Sequence, residues 1–149
     1  MKAKIGLLFS MVVLIAAASC APQTETTAAP ATLVEDAALV MSGAADAGFT
    51  LEDLQAMPST DAEYTNKDGE TTAYSGVSFA DVLAAAGVKD YVSVSLVAAD
   101  DYAADVDKAD LDTCPTCIVS IDDDGTLRAV LPGMSSAKQV KYLVEIAVN

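Results

Sequence analysis

Histidine and tryptophan are absent from the 149-residue sequence, and only eight lysines and arginines stand against 22 aspartates and glutamates. Without histidine the chain lacks the commonest general acid/base and the commonest metal ligand, which excludes catalytic triads, zinc-water hydrolysis and His-ligated haem. A net charge of −14 with so few bases leaves little to neutralise a phosphate backbone, so nucleic acid is excluded as the partner. Three Phe and five Tyr offer little for a sugar-stacking platform. No internal repeat is visible, and the length suits a single domain.

What is present begins with an export signal. Lys2 and Lys4 form a basic start, and residues 5–18 are an apolar run broken only by Gly6 and Ser10. The run is short for a lasting membrane span, which needs about 20 apolar residues, and fits a signal's core of about 7 to 15. It ends in Ala17-Ala18-Ser19-Cys20, which resembles a bacterial lipoprotein signal. That resemblance implies cleavage after residue 19 and lipidation of Cys20, with Ala17 standing where such signals usually carry Leu. An ordinary secretory cleavage after small residues is the other reading. Loss of residues 1–19 removes two lysines and no acid. So acidic a protein is repelled by an anionic bilayer, and a lipid on Cys20 would have to do the anchoring. Residues 20–32 hold Pro, Thr and Ala without a large apolar side chain and read as a flexible tether. The folded domain is expected over 33–149.

Within that domain, residues 38–41 read as a strand. Thr50 is an N-cap with Glu52 and Asp53 in the first turn and Leu51, Leu54 and Met57 on one face, a short helix stopped by Pro58. Residues 62–65 and 71–74 flank Asn66-Lys67-Asp68-Gly69 as a hairpin. Ser78 caps a second helix, with Asp81 completing a capping-box-like pair and Gly87 as terminator. Residues 91–97 alternate, with Val92, Val94 and Leu96 opposite the serines, as a half-buried strand. Residues 118–121 and 127–131 form a second hairpin around Asp122-Asp123-Asp124-Gly125, and 140–148 a last strand after a turn near Ser135-Ser136. Strands and short helices in this order predict an α+β fold with a mixed, mainly antiparallel sheet.

Four stretches resemble the oxidoreductase molybdopterin-binding domain, the catalytic domain of sulfite-oxidase-like enzymes. They are Phe49-Thr50-Leu51-Glu52-Asp53-Leu54-Gln55-Ala56-Met57-Pro58; Tyr74-Ser75-Gly76-Val77-Ser78-Phe79-Ala80-Asp81-Val82-Leu83 with Ala86-Gly87-Val88; residues 94–102 ending in Ala99-Asp100-Asp101-Tyr102; and Leu131-Pro132-Gly133 followed by Val140-Lys141-Tyr142-Leu143-Val144-Glu145-Ile146. The likeness runs over about residues 38–148. It implies the sulfite-oxidase-like fold and a molybdenum-ligating Cys on the strand after the first helix. That stretch here is Ala62-Glu63-Tyr64-Thr65-Asn66, without Cys, and Arg128 and Lys138 are the nearest candidates for the pterin's phosphate. The fold is therefore expected without metal or cofactor, with molybdopterin as the alternative. A ligand in place of the cofactor would lie near Tyr74, Ser75, Gly76, Asp101 and Tyr102.

Cys114-Pro115-Thr116-Cys117 has three readings. In an oxidising compartment the thiols pair as a structural disulfide. A redox-active pair would sit before a helix, whereas this one leads into a strand and follows Asp110 and Asp112, which disfavour a thiolate. A metal site would need two further ligands. The carboxylates from Asp100 to Asp112 and at Asp122-Asp123-Asp124 lack the Gly and distal Glu of an EF-hand and read as a solvated surface. The expectation is a membrane-anchored extracytoplasmic lipoprotein acting as a non-catalytic binding or accessory module, its partner a small polar or cationic ligand or an envelope protein. The alternative is an oxidoreductase or electron-transfer protein using molybdopterin or Cys114 and Cys117.

Overall fold

The computed structural model describes residues 36–149; the signal (1–19), Cys20 and the tether (20–32) lie outside the described residues. Leu39 and Met41, both fully buried, alternate with Val40 and Ser42 in β1 (Leu39–Gly43), which pairs antiparallel with β2 (Ala47–Phe49). The sequence suggested only a loop at β2, because three residues are too few to display a period. Thr50 then caps α1 (Leu51–Gln55) reciprocally. Its hydroxyl accepts the Asp53 amide at 3.1 Å, and the Asp53 carboxylate accepts the Thr50 amide at 2.9 Å. Leu54 is the buried residue of this turn.

The expected hairpin is present and longer than its β-rich centre indicated. β3 (Ser59–Thr65) pairs in register with β4 (Thr71–Ser78) from Ser59↔Val77 to Thr65↔Thr71. Ser78 ends β4 and caps α2 (Phe79–Ala85), accepting the Asp81 amide at 3.0 Å. The Asp81 carboxylate accepts from the Ser78 hydroxyl at 2.7 Å, so the pair is closed through side chains. Gly87, at φ +78°, terminates this helix as expected.

β5 (Ser93–Ala98) pairs with β6 (Ala103–Asp107), which leads into α3 (Lys108–Asp112). Val94 and Leu96 are fully buried, but Val92 is 76% exposed, because the strand begins one residue after it. The acids here are exposed, and part of the stretch is a strand: buried Ala104 and Val106 alternate with exposed Asp105 and Asp107. That alternation is legible in retrospect, with carboxylates on the wet face. The second hairpin follows as β7 (Ile118–Ile121) and β8 (Leu127–Val130). After a 3₁₀ turn at Ser136–Lys138 the chain enters β9 (Leu143–Val148). This strand starts three residues later than expected. Lys141 still pairs with Arg128 beside β8, and Tyr142 takes a left-handed conformation, φ +55°, before β9 begins.

Two sheets result, ordered β2-β1-β9-β5-β6 and β3-β4-β7-β8. Every strand pair is antiparallel except β1 with β9. The fold is α+β with mixed, mainly antiparallel sheets and short helices. The main core takes Leu39, Met41, Leu96 and Ile146 from one sheet and Val77, Val119 and Ala129 from the other. A second cluster, Ala62, Ile118 and Val130 with Tyr64 and Tyr74 against it, belongs wholly to the four-stranded sheet. Among the described residues no helix is long and apolar enough to cross a membrane.

Gly76 sits where β4 meets β7. A Cβ there would collide with the Val119 carbonyl oxygen and stand 2.6 Å from the Ser120 Cα, both backbone atoms unable to yield cheaply. Gly76→Ala should therefore destabilise the protein by about 3 kcal/mol in urea unfolding. Gly69→Ala, in a turn with φ +83° and open space around it, should cost about 1 kcal/mol from backbone strain alone. A second expectation concerns acid. Hydrogen bonds from the Thr50 amide and then its hydroxyl hold the Asp53 carboxyl below its ordinary range. A depressed folded value stabilises above the unfolded value and loses that contribution as pH falls through the folded one. Thermal melts should show Asp53→Ala less stable than wild type at neutral pH, with the gap closing as pH drops below the ordinary Asp range.

Candidate functional site

The Asn66-Lys67-Asp68-Gly69 turn is built around one side chain: the Asn66 carbonyl oxygen accepts the amides of Asp68 and Glu70 at 2.9 and 3.0 Å. Its amide nitrogen donates to the Glu70 carboxylate at 3.0 Å, which fixes that acid within the turn. Tyr64 and Tyr74 lie diagonally across β3 and β4 on the same face, since Ala62 opposes Tyr74 and Tyr64 opposes Thr72. Arg128 extends from β8 to the same side, its guanidinium 5.4 Å from the centre of the Tyr74 ring.

The far wall comes from the segment between β8 and β9. Gln139 clips it to the end of β8 with two bonds, accepting the Leu131 amide and donating to the Leu131 carbonyl, each at 2.8 Å. Tyr102 holds the preceding 3₁₀ turn by donating its hydroxyl to the Ala137 carbonyl at 2.5 Å. Lys141 thereby stands opposite Arg128. These elements flank an open pocket of about 470 Å³ lined by Tyr64, Tyr74, Lys67, Arg128, Gln139 and Lys141 among others, with Asp68 and Glu70 on the turn side. The volume is in the range of small-molecule sites.

The five residues expected around one cleft are distributed over several. Tyr74 lines the basic cavity; Tyr102 lines a neighbouring one of about 330 Å³ that shares Ser136, Gln139 and Lys141 with it. Ser75 and Gly76 line an acidic cavity of about 620 Å³ with Asp122, Asp123 and Asp124, and Ser75 meets Tyr74 again beside Asp61 and Thr116. Alternation along β4 sends Ser75 to the face opposite Tyr74. Asp101 forms a tight left-handed turn, φ +65°, and lines none of these cavities. Of the two phosphate candidates, Arg128 lines the basic cavity, whereas Lys138 pairs with Asp110 at 3.2 Å. Lys67 and Lys141 were not singled out from the sequence. A signal for Lys141 existed, since residues 125–144 contain three bases and no acid in a chain otherwise rich in carboxylates.

Cys114 and Cys117 form a disulfide between α3 and β7. Cys117 is buried and its carbonyl accepts the Phe79 amide at 3.0 Å, tying the ring to the start of α2. Cys114 borders a small cavity with Tyr91 and Asp112, apart from the basic one. The Tyr91 phenol there is pushed above its ordinary range, by burial first and then by Asp112. The Cys114 amide donates to the Leu111 carbonyl, so the pair stands at the carbonyl end of α3, where a negative sulfur is disfavoured. β3, the strand on which the family resemblance would place a metal-ligating Cys, contains none. Among the described residues no three His, Cys, Asp or Glu side chains converge as a metal-binding group. The two cysteines of the described residues, joined to each other, present no free thiolate to a metal.

No protein-family profile matches the sequence, and no curated protein is significantly similar to it. Among solved structures, the crystal structure of the sulfane dehydrogenase SoxCD from Paracoccus pantotrophus matches with a TM-score of 0.63 at 18% identity. The match covers 74% of this chain and 37% of that one, so this chain spans little more than a third of that protein's length. At this identity the likeness concerns the fold alone, and the fold is sulfite-oxidase-like.

Proposed function

We propose that the chain is an extracytoplasmic module, tethered to a membrane by a lipid on Cys20, whose sulfite-oxidase-like domain serves binding or an accessory role without catalysing a molybdenum reaction. The observation that carries this reading is the disposition of sulfur. β3 offers no Cys, and the two cysteines of the described residues are joined to each other away from the basic cavity. The tether reading is supported by Cys20 directly after an apolar run closed by small residues.

Elemental analysis of protein purified from its own host should find no stoichiometric molybdenum, and a one-to-one content would overturn the proposal. The oxidoreductase alternative through Cys114 and Cys117 is separated by their potential. Carboxylates and the carbonyl end of α3 withhold stabilisation from the reduced, ionised pair. Equilibration with glutathione buffers should therefore give a value below about −250 mV, and a more oxidising one would favour redox work.

A further inference from the structure

Arg128 and Lys141 oppose each other directly across an antiparallel bridge, and both line the basic cavity. Like charges in that position destabilise a ladder. The chain has 22 carboxylates with which to neutralise them, yet the ion pairs among the described residues join Lys108 to Asp112, Arg128 to Asp122 and Lys138 to Asp110. Lys141 and Lys67, both lining the cavity, have no carboxylate of the described residues within ion-pair distance. The Asp122 contact engages one terminal nitrogen of Arg128 at 3.3 Å, and the buried Arg128 Nε has no hydrogen-bond partner among the described residues. A buried donor on a cation left unmet is costly, so Arg128 is incompletely satisfied by the described groups around it.

We infer that this cavity binds a small organic anion, its carboxylate or phosphate between Arg128 and Lys141 and its body against the rings of Tyr64 and Tyr74. The inference rests on the reading of the domain as a binding module and names what it binds. An oxyanion matches the donor fork of a guanidinium and a nearby ammonium. The Tyr74 ring orients Arg128, and the Gln139 clip places Lys141, so little ordering remains to be done on binding. Asp68 and Glu70 also line the cavity, on the turn side, with Glu70 engaged by Asn66, while Asp122 holds one terminal nitrogen of Arg128. The juxtaposition of Arg128 and Lys141 at the bridge, away from the acids of the turn, favours an anion there over the cationic ligand that the overall acidity suggested.

Calorimetric titration and thermal shift on the full chain would use phenyl phosphate, inorganic phosphate and benzyl alcohol as probes. Saturable binding of phenyl phosphate, weaker binding of inorganic phosphate and none of benzyl alcohol are expected. Lys141→Gln should weaken phenyl phosphate at least about tenfold. The same exposed-site variant, without ligand, should melt no lower than wild type, because it relieves the opposition to Arg128. Arg128→Lys, which keeps the charge and loses the fork, should also weaken binding. Absence of phenyl phosphate binding, equal binding of benzyl alcohol, indifference to Lys141→Gln, or a lower melting point of the unliganded variant would each overturn the inference. Molybdenum measured on the same samples separates the two proposals. Metal together with anion binding overturns the non-catalytic reading while upholding the anion site, and metal-free protein that fails to bind overturns the site alone.

Discussion

A single residue governs how the two sheets share one core. Lys141 is still bonded beside β8 in the four-stranded sheet, and Leu143 already opens β9 in the other. Tyr142 makes the transfer in a left-handed conformation that a bulky side chain adopts only when its surroundings insist. Its carbonyl accepts the Ala99 amide at 2.8 Å, which secures the turn after β5 to the start of β9. Buried Val140 and Leu143 flank the crossing and hold it from both sides. The position of Lys141, and with it the charge of the basic cavity, follows from this handover.

The handover also explains which parts of the molecule could be read beforehand. Capped helices at Thr50 and Ser78, turns at Gly69 and Gly125, and the alternation of Val94 and Leu96 are local signals, and each element they announce is present. Local signals fail where tertiary pairing decides. Val92 continues an apolar period but lies outside the ladder, its amide donating to the Asn149 carbonyl. Residues 140–142 have strand-like composition, yet they serve the crossing between sheets. β6 was hidden by the acids on its outer face, although Ala104 and Val106 carry the inward period.

The site was less legible than the fold for a related reason. Tyr74, Ser75 and Gly76 are consecutive in the chain, but a strand turns successive side chains to opposite faces. The grouping that matters electrostatically joins residues from a hairpin turn, a strand and a crossing segment, 74 positions apart from Lys67 to Lys141. No spacing rule announces such a set. Charge depletion does, and the acid-free stretch over residues 125–144 is its trace.

β9 lies in the middle of the five-stranded sheet, with β1 parallel on one side and β5 antiparallel on the other. The earliest strand of the described chain and its latest must therefore meet before that sheet closes, across about a hundred intervening residues. Pairing at such sequence separation is slow to form. The flanks of β1 and β5 that β9 fills stay unpaired until residues 143–148 are available, so the five-stranded sheet is completed only then, whereas the four-stranded sheet has all its strands by residue 130.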